Sequence, residues 1–116
     1  MQHRAYLMRL KKEHTLDYVE IHRKENIWSA ILDGLQRAKI AKQIIVRNGT
    51  DLILFEEAED LRAAYSSHNT SAATARWDAL MDRWIENYPK FNAVKGDVEV
   101  TELPVVFYYE NGKLLH

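Results

Sequence analysis

Tyr18 and His22 stand four residues apart, a spacing that stacks two side chains on one face of a helix. Glu25 and Asn26 continue that face. Tyrosine, histidine and carboxylate together form a polar cluster able to move protons. Histidine titrates near neutral pH, so it can act as an acid in one half-reaction and as a base in the other. The plain alternative is a solvated helix face that happens to carry a histidine. A second constellation is Trp77 beside Asp78. An aromatic face next to a carboxylate can hold a sugar, since C–H groups stack on the ring and hydroxyls bond the acid. Here the alternative is a tryptophan that belongs to the core. Trp84, seven residues on, reads as core from its period.

Other chemistries find little support. His14 and His22 are not at ligand spacing, no HExxH occurs, and His3 and His68 are isolated, so no metal site is expected. His116 is terminal. The four glycines form no phosphate-cradling loop. Ser66, Ser67 and His68 lack the setting of a nucleophile elbow. With no cysteine, thiolate metal sites, disulfides and cysteine nucleophiles are excluded. The 16 basic and 17 acidic residues leave a net charge of -1, which gives no footprint for nucleic acid or an anionic membrane. No apolar run approaches the ~20 residues that span a bilayer, and the opening MQHRAYLMRLKK has no apolar h-region. A cytoplasmic protein is the resulting expectation.

At 116 residues, 47% hydrophobic and 28% charged, the chain suits one domain over residues 1–116 with a short tail at 110–116. Arg4 to Lys11 alternates like a strand. Thr15 is placed to cap a helix that runs from Leu16 to about Lys39, with Lys24 to Ile27 as the place for a break. Lys42–Val46 and Leu52–Glu56 read as strands joined at Asn48-Gly49, the strongest turn signal present. A short helix is expected over Ala58 to Tyr65 and a longer one over Ser71 to Asn87, ended by Pro89. Phe91 to Gly96 reads as a loop, and Val98 to Leu103 as extended. Val105 to Glu110 reads as the final strand, followed by a turn at Asn111-Gly112.

The order strand, helix, strand, strand, helix, strand predicts an α+β fold. It is the ferredoxin-like βαββαβ arrangement, a four-stranded antiparallel sheet with helices on one face. Residues on both faces of the strands are apolar: Leu7 with Met8, Ile44 with Ile45, Val106 with Phe107. An open apolar sheet face calls for another layer. The simplest is a second copy, giving a homodimer.

Several segments carry a family resemblance. Arg4-Ala5-Tyr6-Leu7-Met8-Arg9-Leu10, then Asp17-Tyr18-Val19-Glu20-Ile21-His22, then Ile27-Trp28 resemble the L-rhamnose mutarotase family. The hairpin Asn48 to Phe55, the Arg76-Trp77 and Met81 segment, and Val105-Val106-Phe107-Tyr108 resemble later parts of the same family, so the likeness spans about residues 3 to 109. It implies a dimeric α+β barrel that interconverts α and β anomers of L-rhamnose, or a related deoxyhexose, with no metal or organic cofactor. It implies His22 as proton donor, Tyr18 as a sugar contact and Trp77 as a pocket wall. The chain departs from the pattern in places. Arg23 to Asn26 makes the stretch before Ile27-Trp28 two residues longer, and Ser29-Ala30 follows Trp28. Asp78 stands where the family has a second tryptophan, and Gln43 where it has a tyrosine. Those two changes leave open a different deoxyhexose, or a sugar-binding dimer without turnover. The same scaffold also hosts cofactor-free monooxygenase-like enzymes.

Overall fold

A computed structural model describes residues 1–68 and 71–116. Strand β1 (Gln2–Arg9) is followed by a 3-10 turn (Lys12–His14) and the helices α1 (Thr15–Ile21) and α2 (Ser29–Arg37). Strands β2 (Ile40–Asn48) and β3 (Asp51–Ala58) form the hairpin, and α3 (Leu61–Ser66) and α4 (Ala72–Trp84) follow. The chain ends with β4 (Lys90–Asn92), β5 (Asp97–Glu99), β6 (Thr101–Glu102), β7 (Tyr109–Glu110) and β8 (Lys113–Leu114). The main sheet has the order β2-β3-β1-β6 and its pairs are all antiparallel. This is the βαββαβ arrangement expected from the element order.

Strand alternation divides the sheet into two faces. Tyr6 and Met8 of β1, with Leu52, Leu54, Glu56 and Ala58 of β3, are buried beneath the helices. Leu10, Leu52, Met81 and Ile85 are the largest fully buried side chains, each contributing about 1.5–3 kcal/mol by leaving water. Leu7, Ile53 and Val46 align across three strands on the other face. Ile44, Val46 and Ile53 are exposed there, which leaves that face without a second layer in the single chain. The β2–β3 hairpin turns through Gly49 and Thr50 after the last pair, Asn48 with Asp51. Gly49 takes the positive φ, 61°, that the first position of such a turn requires.

The expected long helix is two helices, separated by turns between Ile21 and Ser29 that include the expected break at Lys24 to Ile27. Thr15 does not cap it. Its hydroxyl donates to the Lys12 carbonyl, and His14 holds the cap position without a capping side-chain bond. The helix expected at Ala58 starts later, at Leu61, because Ala58 closes β3 and Asp60 accepts a hydrogen bond from Ala63 N. Helix α4 is capped by Ser71 and stops at Trp84, three residues before Asn87. Ile85 turns extended and bridges to Leu10, so the helix ends before Pro89 is reached. The expected loop at Phe91 to Gly96 is a small hairpin, β4 with β5.

The final strand is also corrected. The fourth strand of the sheet is Thr101–Glu102, paired with Leu7 and Tyr6, and not Val105 to Glu110. Leu103 N still donates to the Ala5 carbonyl, and then Pro104, with no N–H, ends the ladder. Val106 and Phe107 therefore do not lie in the sheet and are 86% and 69% exposed. Tyr109 and Glu110 pair instead with Leu114 and Lys113, so the tail is a hairpin.

Candidate active site

A cavity of about 200 Å³ lies between the inner sheet face and the helices. His22, Tyr18, Trp77, Asp78 and Gln43, the five residues singled out from sequence, all line it. Three polar groupings stand in an otherwise largely apolar wall.

The first sits at the end of α1. Tyr18 is buried, so the solvated-face alternative does not apply to it. His22 follows α1 as its C-cap, and its Nδ1 lies 2.7 Å from the Tyr18 carbonyl oxygen. A carbonyl only accepts, so Nδ1 carries the proton and a neutral ring keeps its lone pair at Nε2. Burial pushes the imidazole below its ordinary pKa, against the opposing effect of that backbone bond. The Tyr18 ring lies 4.1 Å from the His22 ring, centroid to centroid. Burial also holds the Tyr18 hydroxyl well above the usual phenol range, so it keeps its proton. Trp77 meets both His22 and Trp28 edge to face, at 5.2 and 5.1 Å. It packs with the core cluster and lines the cavity at once, so its two sequence readings are not exclusive.

The second grouping is Asp78. Tyr88 donates its hydroxyl to Oδ1 at 2.6 Å, and His68 Nε2 lies 2.6 Å from Oδ2. The His68 ring is stacked on Phe91, with centroids 3.6 Å apart. His68 is therefore not isolated. The third grouping is on the sheet. Gln43 and Glu56 are register partners on β2 and β3. Gln43 Nε2 reaches Glu56 Oε2 at 3.5 Å, and Tyr65 donates its hydroxyl to Glu56 Oε1. Glu56 is only 3% exposed.

Glu56, Tyr65, His68 and Tyr88 were not found from sequence. Glu56 had a legible signal: it occupies the inward phase Leu52, Leu54, Glu56, Ala58 of an otherwise apolar strand face. His68 had none, because its approach to Asp78 depends on the path between α3 and α4. Among the described residues, no group of three or more metal-ligating side chains occurs, and no helix is long and apolar enough to cross a membrane.

Comparison with known proteins bears on what such a cavity does. The family model for L-rhamnose mutarotase matches residues 3–109. The chain belongs to the L-rhamnose mutarotase family. It is thus an isomerase acting on carbohydrates, of the class that interconverts sugar anomers. Its fold is similar to the crystal structure of L-rhamnose mutarotase FA22100 from Formosa agariphila, with 19% identity, a TM-score of 0.68, and coverage of 95% of this chain and 100% of that one. No curated protein matches the chain. Tyr18, His22, Gln43, Trp77 and Asp78 all fall within the segment matched to the mutarotase family.

Proposed function

We propose that this mutarotase binds L-rhamnose or a related deoxyhexose in the cavity between sheet and helices, with His22 as its proton-transferring group. The observation that carries the proposal is the bond from His22 Nδ1 to the Tyr18 carbonyl, which leaves Nε2 as the acceptor on a cavity-lining ring. Ring opening removes the proton from the anomeric hydroxyl and delivers a proton to the ring oxygen. Rotation about the bond from the carbonyl carbon to its neighbour, then reclosure, gives the other anomer. The reaction has no leaving group and no change of oxidation state. A neutral His22 accepts the anomeric proton and returns it on reclosure, a role typically worth about 10²–10⁴-fold. Tyr18 keeps its proton and serves as a hydrogen-bond donor to the sugar. Trp77 supplies an apolar wall, and Gln43 and Asp78 read hydroxyls where the family pattern has aromatics.

The working unit is taken to be a homodimer joined through the open sheet face. Ile44, Val46 and Ile53 are exposed on that face, and Val105, Val106 and Phe107 form a further exposed apolar segment after β6. A second copy would cover such surface at no cost to the cavity, which lies on the opposite face.

Saturation-transfer NMR of anomer exchange over a panel of deoxyhexoses, L-rhamnose included, tests the proposal. Faster exchange of at least one sugar, lost in His22→Ala, is the expected result. Sugar binding in calorimetry with no faster exchange would instead mark a binding protein without turnover.

A further inference from the structure

We propose that Glu56 is the second proton-transferring group of this site, the acid that serves the ring oxygen of the sugar while His22 serves the anomeric hydroxyl. The inference rests on the mutarotase reading and adds a residue that neither the sequence motif nor the family match supplies.

Two proton transfers need two groups. Tyr18 holds its proton too tightly to give it up. Asp78 has both oxygens engaged, one by Tyr88 and one by His68. Glu56 differs from both. Its Oε1 takes the Tyr65 hydroxyl, while its Oε2 meets, among the described residues, only the Gln43 amide, at a long 3.5 Å. The residue lines the cavity and is almost wholly removed from solvent.

The neighbouring charges do not neutralise it. Arg4 is its register partner on β1. The Arg4 guanidinium, however, sits over the Tyr65 ring at 5.5 Å and its Nε reaches Glu102 at 3.8 Å. Tyr6 from β1, Tyr65 from α3, Gln43 from β2 and His68 after α3 complete the groups that face Glu56. Among the described residues no ion pair forms with it. A carboxyl in such a place favours its protonated form. Burial does raise its pKa, outweighing the lowering effects of Tyr65, Gln43, Arg4 and His68.

The cycle balances. Glu56 gives its proton to the ring oxygen as the bond between that oxygen and the anomeric carbon breaks. The anomeric hydroxyl loses its proton to His22 Nε2 as the carbonyl forms. The open-chain aldehyde then lies between a carboxylate and an imidazolium. After rotation, the chain hydroxyl attacks the carbonyl carbon from the other face. Its proton returns to Glu56, and His22 returns its own to the anomeric oxygen. Both groups end as they began.

The test is anomer exchange of L-rhamnose, or of whichever deoxyhexose the wild type exchanges fastest, across pH. Wild-type protein that exchanges no sugar defeats the mutarotase reading itself and Glu56 with it. Given wild-type exchange, Glu56→Gln should lower kcat/KM by about 10²–10⁴-fold and erase one limb of the pH profile while the other persists. Formate should restore exchange to Glu56→Ala in proportion to its concentration, which a packing role does not allow. A Glu56→Gln variant within about threefold of wild type overturns the proposal. So does a loss with both limbs intact and no rescue. Should Glu56→Ala not fold, the pH profile of Glu56→Gln decides alone.

Discussion

His22 donates Nδ1–H to the carbonyl oxygen of Tyr18, 2.7 Å away, one helical turn back along the chain. The bond joins the two residues by backbone as well as by side chain, so their four-residue spacing does two things. It brings the rings together, tilted by 34°, and it selects the tautomer. Protonating His22 then adds a charge in a half-buried place. Burial has already lowered its pKa below the ordinary 6.5. The unfolded chain therefore binds this proton more readily than the folded one. Stability from this group is full above about pH 6.5 and falls as the pH drops from there through the folded value. Thermal melts from pH 4.5 to 8 should show a shallower acid decline in His22→Asn than in wild type. Identical declines would mean that His22 is not buried in its neutral form.

Glu56 carries the opposite sign. Its folded pKa lies above the ordinary 4.5, so the unfolded chain releases the proton first. The folded state loses stability as the pH rises from about 4.5 through the folded value. Glu56→Gln should therefore raise Tm at pH 7 and change it little at pH 4. A functional carboxyl held at a cost to stability predicts this gain together with a loss of exchange. If the glutamine variant melts lower than wild type at pH 7, Glu56 is a structural residue.

The clamp on Asp78 makes a separate prediction. Asp78 accepts the Tyr88 hydroxyl at 2.6 Å and lies equally close to His68. Asp78→Ala leaves the half-buried Tyr88 hydroxyl without its acceptor, which should cost about 1–3 kcal/mol in chemical denaturation. Adding Tyr88→Phe to that variant should recover part of the loss, since the orphaned hydroxyl is then gone. Strictly additive losses would show that the two side chains do not act as a pair.

Much of this architecture was legible because it is written locally. Alternation in β1 and β3, the Asn48-Gly49 turn and the period of Trp77, Leu80, Met81 and Trp84 each name an element from within its own residues. The Tyr18–His22 pair was legible for the same reason. The last strand was not. Val105 to Tyr108 has strand-like composition, but whether it pairs depends on Pro104, which ends the ladder one step earlier. His68 and Tyr88 were missed because each lies ten residues from Asp78, on opposite sides of it, in segments whose meeting only the packed fold creates. Glu56 was missed for a different reason. It closes the strand expected at Leu52–Glu56, and its signal there is a lone carboxylate in the inward phase of an apolar face.

The open sheet face yields the final prediction. Val46, Ile53 and Leu7 stand side by side across three strands, and Ile44 pairs with Phe55 beside them. None of these five side chains lines the cavity, so the face can be altered without touching the site. A charge placed there must lose its water if a second sheet closes over it, and an unpaired buried charge costs several kcal/mol. Val46→Asp, or Ile53→Lys on the neighbouring strand, should therefore turn a wild-type dimer into a monomer in sedimentation velocity at micromolar concentration. Circular dichroism should stay that of the wild type, because both positions are exposed in the single chain. Pairing the two variants should restore some dimer if the copies meet face to face with those strands opposed. A wild type that sediments as a monomer, or variants that remain dimeric, would place the contact between copies elsewhere or remove it.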